Sequence, residues 1–97
     1  MVRYALYGQL KAKPGKEADV EAFLKLGAEM AKQEKGTVTW YALKEGEGSY
    51  GIFDTFEDEA GRDAHLNGDI AKALMAKAEE LFSTPPKIHK IDILAEK

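Results

Sequence analysis

Residues 50–66 read YGIFDTFEDEAGRDAHL, and the rest of the chain is interpreted from this stretch. Every second residue of its first half shares one face of a strand: Tyr50, Ile52, Asp54 and Phe56. The acidic run that follows suits the positive N-terminal end of a helix, where Asp58 or Glu57 can cap the first turn. The stretch therefore predicts a strand that leads directly into a short helix, and this helix carries His65.

The segment before this stretch predicts a β-α-β unit. Residues 2–12 alternate at period two, with one face formed by Val2, Tyr4, Leu6, Gly8 and Leu10. The turn KPGK at 13–16 leads into a helix whose apolar residues recur at steps of three and four, and Gly36 is expected to end it. Residues 37–44, TVTWYALK, are rich in β-branched and aromatic residues and predict a second strand. A hairpin loop with two glycines follows at 45–49.

The segment after this stretch predicts one more helix and one more strand. Asn67-Gly68 ends the short helix, and Asp69 is expected to cap a longer amphipathic helix over 70–82. Pro85-Pro86 breaks that helix, and residues 88–94 predict the last strand. The order β-α-β-β-α(α)-β predicts the α+β class: a ferredoxin-like domain over residues 1–97, with a four-stranded antiparallel sheet and helices on one face.

The second face of this sheet also carries apolar side chains, namely Ala5, Tyr7, Tyr41, Leu43 and Phe53. The predicted helices can cover only one face of the sheet in a chain of 97 residues. Large exposed apolar patches commonly mark an interface. We therefore expect a homodimer in which two sheets pack face to face.

Composition narrows the functional classes. The net charge is −3 and the signs are interleaved, so no basic stripe offers a nucleic-acid footprint. No cysteine is present, which excludes disulfides and thiolate chemistry. The start MVRYALYGQL lacks the pattern of a signal peptide, and no apolar run reaches membrane-spanning length. A cytoplasmic protein without membrane or nucleic-acid partners is the simplest interpretation.

Few residues in the sequence can carry chemistry. His65 is either a structural helical histidine or a base with a pKa near neutrality. Asp54 either orients a histidine or accepts backbone hydrogen bonds, and Trp40 and Phe56 either fill the core or line a pocket for a flat ligand. Two distant histidines without cysteine predict no metal site. No phosphate-binding loop or nucleophilic triad is recognisable.

Three motifs resemble the antibiotic biosynthesis monooxygenase family of dimeric α+β barrel proteins. They are KPGK at 13–16, GTVTWY at 36–41, and DTFEDEA at 54–60 followed by His65, Leu66 and Asn67. The resemblance covers essentially the whole chain. Haem-degrading members carry an asparagine, a tryptophan and a histidine where this sequence has Gly8, Phe56 and Met75. The resemblance therefore does not extend to haem degradation.

The resemblance implies a cofactor-independent monooxygenase acting on a small aromatic or quinol-type molecule. No cofactor is implied, because the substrate supplies the electrons for oxygen. His65 would be the catalytic base or oxyanion partner, and the substrate-binding residues would be Tyr4, Leu6, Gly8, Trp40, Ile52, Asp54 and Phe56. Two alternatives remain open: a non-catalytic ligand-binding or structural dimer of the same fold, and a histidine-dependent isomerase-like enzyme.

Overall fold

The structure is a computed structural model that describes residues 2–97. Its elements in chain order are β1 (Tyr4–Lys11), α1 (Glu17–Ala31), β2 (Thr37–Gly46), β3 (Ser49–Phe56), α2 (Glu59–Leu66), α3 (Asp69–Leu81) and β4 (Lys87–Asp92). The predicted element order and the ferredoxin-like α+β fold are confirmed. Within residues 2–97, no helix combines the length and the apolar character needed to cross a membrane.

The four strands form one antiparallel sheet in the order β2-β3-β1-β4. The central pair is β1 and β3, in which Leu6 lies opposite Asp54 and Gly8 opposite Ile52. These side chains share the face of the sheet that the helices cover. The register therefore places one carboxylate in the middle of an apolar surface.

The core lies between this face and the helices. Its buried cluster consists of Leu10, Val20, Leu24, Tyr50, Ile52, Leu74, Leu81 and Phe82. Gly27 in α1 has a packing reason: a Cβ there would lie 3.1 Å from the ring of Trp40. Glycine costs about 1 kcal/mol relative to alanine inside a helix, and here it allows α1 to approach the indole closely.

Several boundaries differ from the sequence prediction. The helix α1 ends at Ala31, five residues before Gly36. A turn follows it, in which the N–H groups of Gln33 and Glu34 donate to the carbonyl oxygens of Met30 and Ala31. Asp58 caps α2 as predicted, because its side chain accepts a hydrogen bond from the Gly61 N–H at 2.7 Å. The cap of α3 is Gly68 rather than Asp69, which is the first helical residue.

Two glycines bring the end of α1 against α2. A Cβ on Gly36 would lie 3.0 Å from Gly61 Cα, and a Cβ on Gly61 would lie 2.9 Å from the Gly36 carbonyl oxygen. Any larger residue at either position would force two backbone segments apart. This close approach places Glu34, in the turn after α1, beside the residues of α2.

The second face of the sheet is more exposed in the described part of the chain. Tyr41 is 54% exposed, and Tyr7, Leu43 and Phe53 are half-buried. In β2 a register shift between Thr37 and Thr39 removes Val38 from the expected alternation.

Ala5, the fifth residue predicted for the dimer interface, is 0% exposed, because it lies on the central strand between Thr55 and Ile91. The prediction that it belongs to an exposed patch is therefore wrong. The other four residues share the more exposed face, and dimerisation remains a prediction.

Candidate functional site

His65 lies on α2 between two carboxylates. Its Nε2 is 2.9 Å from Asp54 Oδ2, and its Nδ1 is 2.5 Å from Glu34 Oε1. The imidazole is buried, and its ring centroid lies 5.4 Å from that of Phe56, which is completely buried beneath it. We call this hydrogen-bonded set of Asp54, His65 and Glu34 the carboxylate–histidine triad.

Three separate elements hold the triad together. Asp54 comes from the central strand β3 and is 1% exposed. Glu34 follows α1, is 21% exposed at its side chain, and also accepts a hydrogen bond from the hydroxyl of Thr37 at 2.8 Å. The Gly36–Gly61 contact fixes the distance between Glu34 and α2. The triad therefore depends on tertiary packing rather than on residues close in sequence.

The geometry favours a protonated His65. A neutral imidazole has one N–H and can donate to only one of its two carboxylate partners, whereas an imidazolium donates to both. Burial by itself lowers the pKa of His65, but hydrogen bonds to Asp54 and Glu34, together with their charges, outweigh it. The pKa is therefore raised above its ordinary value of 6.5.

A cavity adjoins the triad between the sheet and the helices α2 and α3. Within the described residues its lining is apolar except for Asp54 and His65, and it comprises Leu6, Gly8, Ile52, Asp54, His65, Leu66, Ile70, Ala71, Leu74 and Ile88. It offers about 40 Å³ to the centre of a water-sized sphere. A Cβ on Gly8 would meet only Ile88 Cγ1, at 3.9 Å, so the glycine contributes to this space.

One polar atom of this site has unused hydrogen-bonding capacity. Asp54 Oδ1 is buried and has no hydrogen-bond partner among residues 2–97. Burying a carboxylate oxygen without a partner is costly. Because Asp54 is one of the residues that line the cavity, this oxygen is a candidate contact for a ligand that donates a hydrogen bond.

The structure brings together five of the eight residues that the sequence proposed for the site. Leu6, Gly8, Ile52, Asp54 and His65 all line the cavity. The other three, Tyr4, Trp40 and Phe56, do not line this cavity. Tyr4 lies under the Arg62 guanidinium at 5.1 Å, Trp40 packs on α1 at Gly27, and Phe56 supports the His65 ring.

Sequence reasoning missed Glu34. In the sequence, Glu34 lies off the apolar stripe predicted for the first helix and close to two lysines. Such a charged stretch is typical of a solvated surface. Gly36 offered the only local signal, because a glycine after a helix allows a close backbone approach. That signal does not identify which segment approaches.

The triad does not form a metal site. Its two carboxylates bind opposite nitrogens of one ring, so the three side chains cannot converge on one ion. In the part of the chain that the structure describes, no group of three or more potential ligands is suited to a metal.

The chain matches one protein-family model and several solved structures. A family model described as antibiotic biosynthesis monooxygenase matches residues 3–77. A crystal structure of a Nitrosomonas europaea protein of unknown function is 52% identical with a TM-score of 0.97, and the match covers 100% of this chain and 94% of that one. No curated protein matches the chain.

More distant structures share the fold alone. A Mycobacterium tuberculosis protein is 17% identical with a TM-score of 0.86, over 97% of each chain. A Caulobacter crescentus protein described as a candidate antibiotic biosynthesis monooxygenase is 23% identical with a TM-score of 0.80, over 97% of this chain and 92% of that one.

Proposed function

Because the chain belongs to the antibiotic biosynthesis monooxygenase family, we propose that it is a cofactor-independent monooxygenase acting on a small aromatic or quinol-type molecule. The observation that carries this proposal is the hydrogen-bonded Asp54–His65 pair beside an apolar cavity. Such a cavity suits an aromatic body, and the pair suits the removal of a hydroxyl proton.

The proposed reaction needs only the substrate and molecular oxygen. The phenolic O–H bond breaks, its proton passes to the Asp54–His65 pair, and the electron pair stays on the substrate oxygen. The resulting anion gives one electron to oxygen, and the two radicals combine into a carbon-bound peroxide. The distal peroxide oxygen takes the first proton back from the Asp54–His65 pair, the O–O bond breaks and this oxygen leaves as hydroxide. The hydroxide combines with the proton that the ring carbon loses, which forms water and the second carbonyl group of the quinone. The overall change is phenol plus O₂ to quinone plus water, in which one oxygen atom enters the product.

The charges of the triad support the first step. His65 is the catalytic residue proposed from the sequence, and we propose that it acts through Asp54, because Nε2 and Oδ2 are 2.9 Å apart. Once Asp54 has taken up this proton, the triad carries no net charge, and its imidazolium stabilises the negative charge left on the substrate oxygen. Positioned acid–base groups contribute about 10²–10⁴-fold to rate.

The cavity must widen to admit a ring. Its volume of about 40 Å³ for the centre of a water-sized sphere is smaller than the roughly 150 Å³ of a protein cavity that accepts benzene. We propose that the cavity widens by movement of the Ile88 side chain, because Ile88 lies on the edge strand β4 and is 42% exposed. We propose that a ligand enters past Ile88.

The proposal includes a homodimer formed through the second face of the sheet. Its support is the exposed apolar surface that includes Tyr41, Phe53 and Leu43. Sedimentation at micromolar concentration tests this part alone. The native protein should sediment as a dimer and Tyr41→Lys should shift it toward monomer, whereas a native monomer would contradict the proposal.

Oxygen consumption with a panel of phenols and hydroquinones tests the activity. Native protein, His65→Ala and Asp54→Asn are compared, with Asp63→Asn as a control for an exposed carboxylate on α2. Native protein and control should consume oxygen, and both site variants should lose about 100-fold or more. Uptake that is unchanged in both site variants would contradict the proposed role of the pair.

Two other outcomes identify the alternative functions. Saturable binding of an aromatic without oxygen uptake indicates a ligand-binding protein of the same fold. Exchange of a ligand proton with deuterated solvent, without oxygen uptake, indicates a proton-transfer enzyme of the isomerase type. The same protein samples serve all three measurements.

A further inference from the structure

Within residues 2–97, the triad contains one fully buried oxygen that has no hydrogen-bond partner, Asp54 Oδ1. Both nitrogens of His65 are engaged, Nε2 with Asp54 and Nδ1 with Glu34. Asp54 lines the cavity, is 1% exposed, and has no partner for Oδ1 within residues 2–97. A ligand that approached a nitrogen of His65 would first have to displace a carboxylate.

We infer that Asp54 Oδ1 is the atom that receives the hydroxyl of a neutral phenolic ligand, and that His65 and Glu34 are positioning residues that keep this carboxylate charged and oriented. The inference rests on the proposed function for the class of ligand, but it does not require turnover. It assigns the direct contact to Asp54 and gives Glu34 a role that the sequence did not suggest.

Within the triad, His65 stabilises the charge of Asp54, and Glu34 in turn stabilises protonated His65. A carboxylate as buried as that of Asp54 stays charged only with a paired cation, and His65 is that cation. The imidazolium in turn is held by Glu34, whose Oε1 also accepts from Thr37 at 2.8 Å. On its outer side, the ring borders a surface hollow that Lys35 and Asp69 also line.

The charge of the triad selects the ligand. Two carboxylates and one imidazolium sum to one negative charge, which disfavours an anionic ligand in this buried place. An ether of the same shape would leave Oδ1 without a partner, which is costly. A single hydroxyl on an apolar ring satisfies Oδ1 and matches the lining. In the proton-transfer step, that O–H bond breaks, the proton binds Oδ1, and the electron pair remains on the ligand oxygen.

Phenol and anisole are the probes for this inference, since they differ by the hydroxyl proton and a methyl group. Binding is followed by NMR through the methyl resonances of Leu6, Ile52 and Leu74. Native protein should bind phenol at least about tenfold more tightly than anisole, because a hydrogen bond to a charged group is at stake. Benzene carries neither the hydroxyl group nor the methoxy group, so it controls for binding of the ring alone.

Asp54→Asn tests the contact atom. The amide oxygen can keep the hydrogen bond from His65, which turns the amide N–H₂ toward the position of Oδ1. The preference for phenol should then fall below about threefold, whereas Asp63→Asn should keep the native preference. An unchanged preference in Asp54→Asn, equal affinities in native protein, or no binding of either probe would overturn the inference.

Glu34→Gln tests the positioning role, with Glu29→Gln as the control on the exposed side of α1. Nitrogen-15 NMR of the imidazole should show two protonated nitrogens in native protein, with and without phenol. Glu34→Gln should lower the pH at which His65 loses its proton, and phenol preference should fall with the same pH midpoint. If phenol instead leaves one nitrogen of native His65 unprotonated, the ligand contacts histidine and the inference is wrong.

These results are independent of the oxygenase test. A phenol preference that depends on Asp54, without oxygen uptake, contradicts the monooxygenase and supports the inference. Oxygen uptake that Asp54→Asn leaves unchanged contradicts the inference, even if His65→Ala abolishes the activity and the monooxygenase stands.

Discussion

Replacing His65 by alanine should destabilise the protein strongly, because Asp54 would lose its one partner among the described residues. Asp54 is 1% exposed, its Oδ2 accepts from His65 at 2.9 Å, and its Oδ1 has no partner in residues 2–97. Removing one member of a buried ion pair costs about 3–5 kcal/mol. Small domains are stable by about 5–15 kcal/mol, so the variant should approach the limit of folding.

Urea unfolding at one protein concentration measures this loss, with Asp63→Ala as the control on α2. The double variant His65→Ala/Asp54→Asn should be more stable than His65→Ala alone by at least about 1 kcal/mol, since it removes the uncompensated charge. A loss below about 1 kcal/mol, or a double variant less stable than the single one, would refute the reasoning.

Three further predictions concern the surroundings of the triad. The stability that the contact of Glu34 with protonated His65 contributes should be complete below pH 6.5, the ordinary pKa of histidine. It should disappear as the pH rises through the raised pKa of His65 in the folded state. The difference between native protein and Glu34→Gln in urea unfolding across this range measures it, and a constant difference would contradict the prediction. Gly61→Ala should lower the free energy of unfolding by more than about 1 kcal/mol, although alanine has the better helix propensity. The reason is that the added Cβ would lie 2.9 Å from the Gly36 carbonyl oxygen. An unchanged urea midpoint would count against this close contact. Gly8→Val should retain native stability within about 1 kcal/mol and abolish phenol binding by NMR, because the added atoms enter the cavity; retained binding would place the ligand elsewhere.

The fold could be predicted because local patterns and global order agree. The alternation of residues 50–56 and the acidic start at Asp58 predicted β3 and α2, and both formed at the expected place. The same alternation predicted which side chains share a face of each strand, but it did not predict the register, in which Leu6 lies opposite Asp54. The exact ends of helices were less predictable, since turn bonds after Ala31 compete with a glycine stop.

The site could be predicted only in part, because its geometry depends on contacts between segments distant in sequence. Asp54 and His65 are eleven positions apart and were proposed together from their strand and helix. Glu34 comes from a different element, and its distance to His65 depends on the Gly36–Gly61 contact. Trp40 lies opposite Asp54 on the same face of the sheet, yet its ring packs against α1 at Gly27 and against the core rather than lining the cavity. Alternation predicts a face and does not predict which element covers it.

Labelling with ¹⁸O₂ tests the central proposal most directly. Native protein, a phenolic substrate and labelled oxygen are incubated, and the product is extracted rapidly for mass spectrometry. The proposed reaction predicts a quinone with one labelled oxygen atom, formed by native protein and lost about 100-fold in Asp54→Asn. A product whose new oxygen comes from water, or oxidation that proceeds equally without the protein, would contradict it.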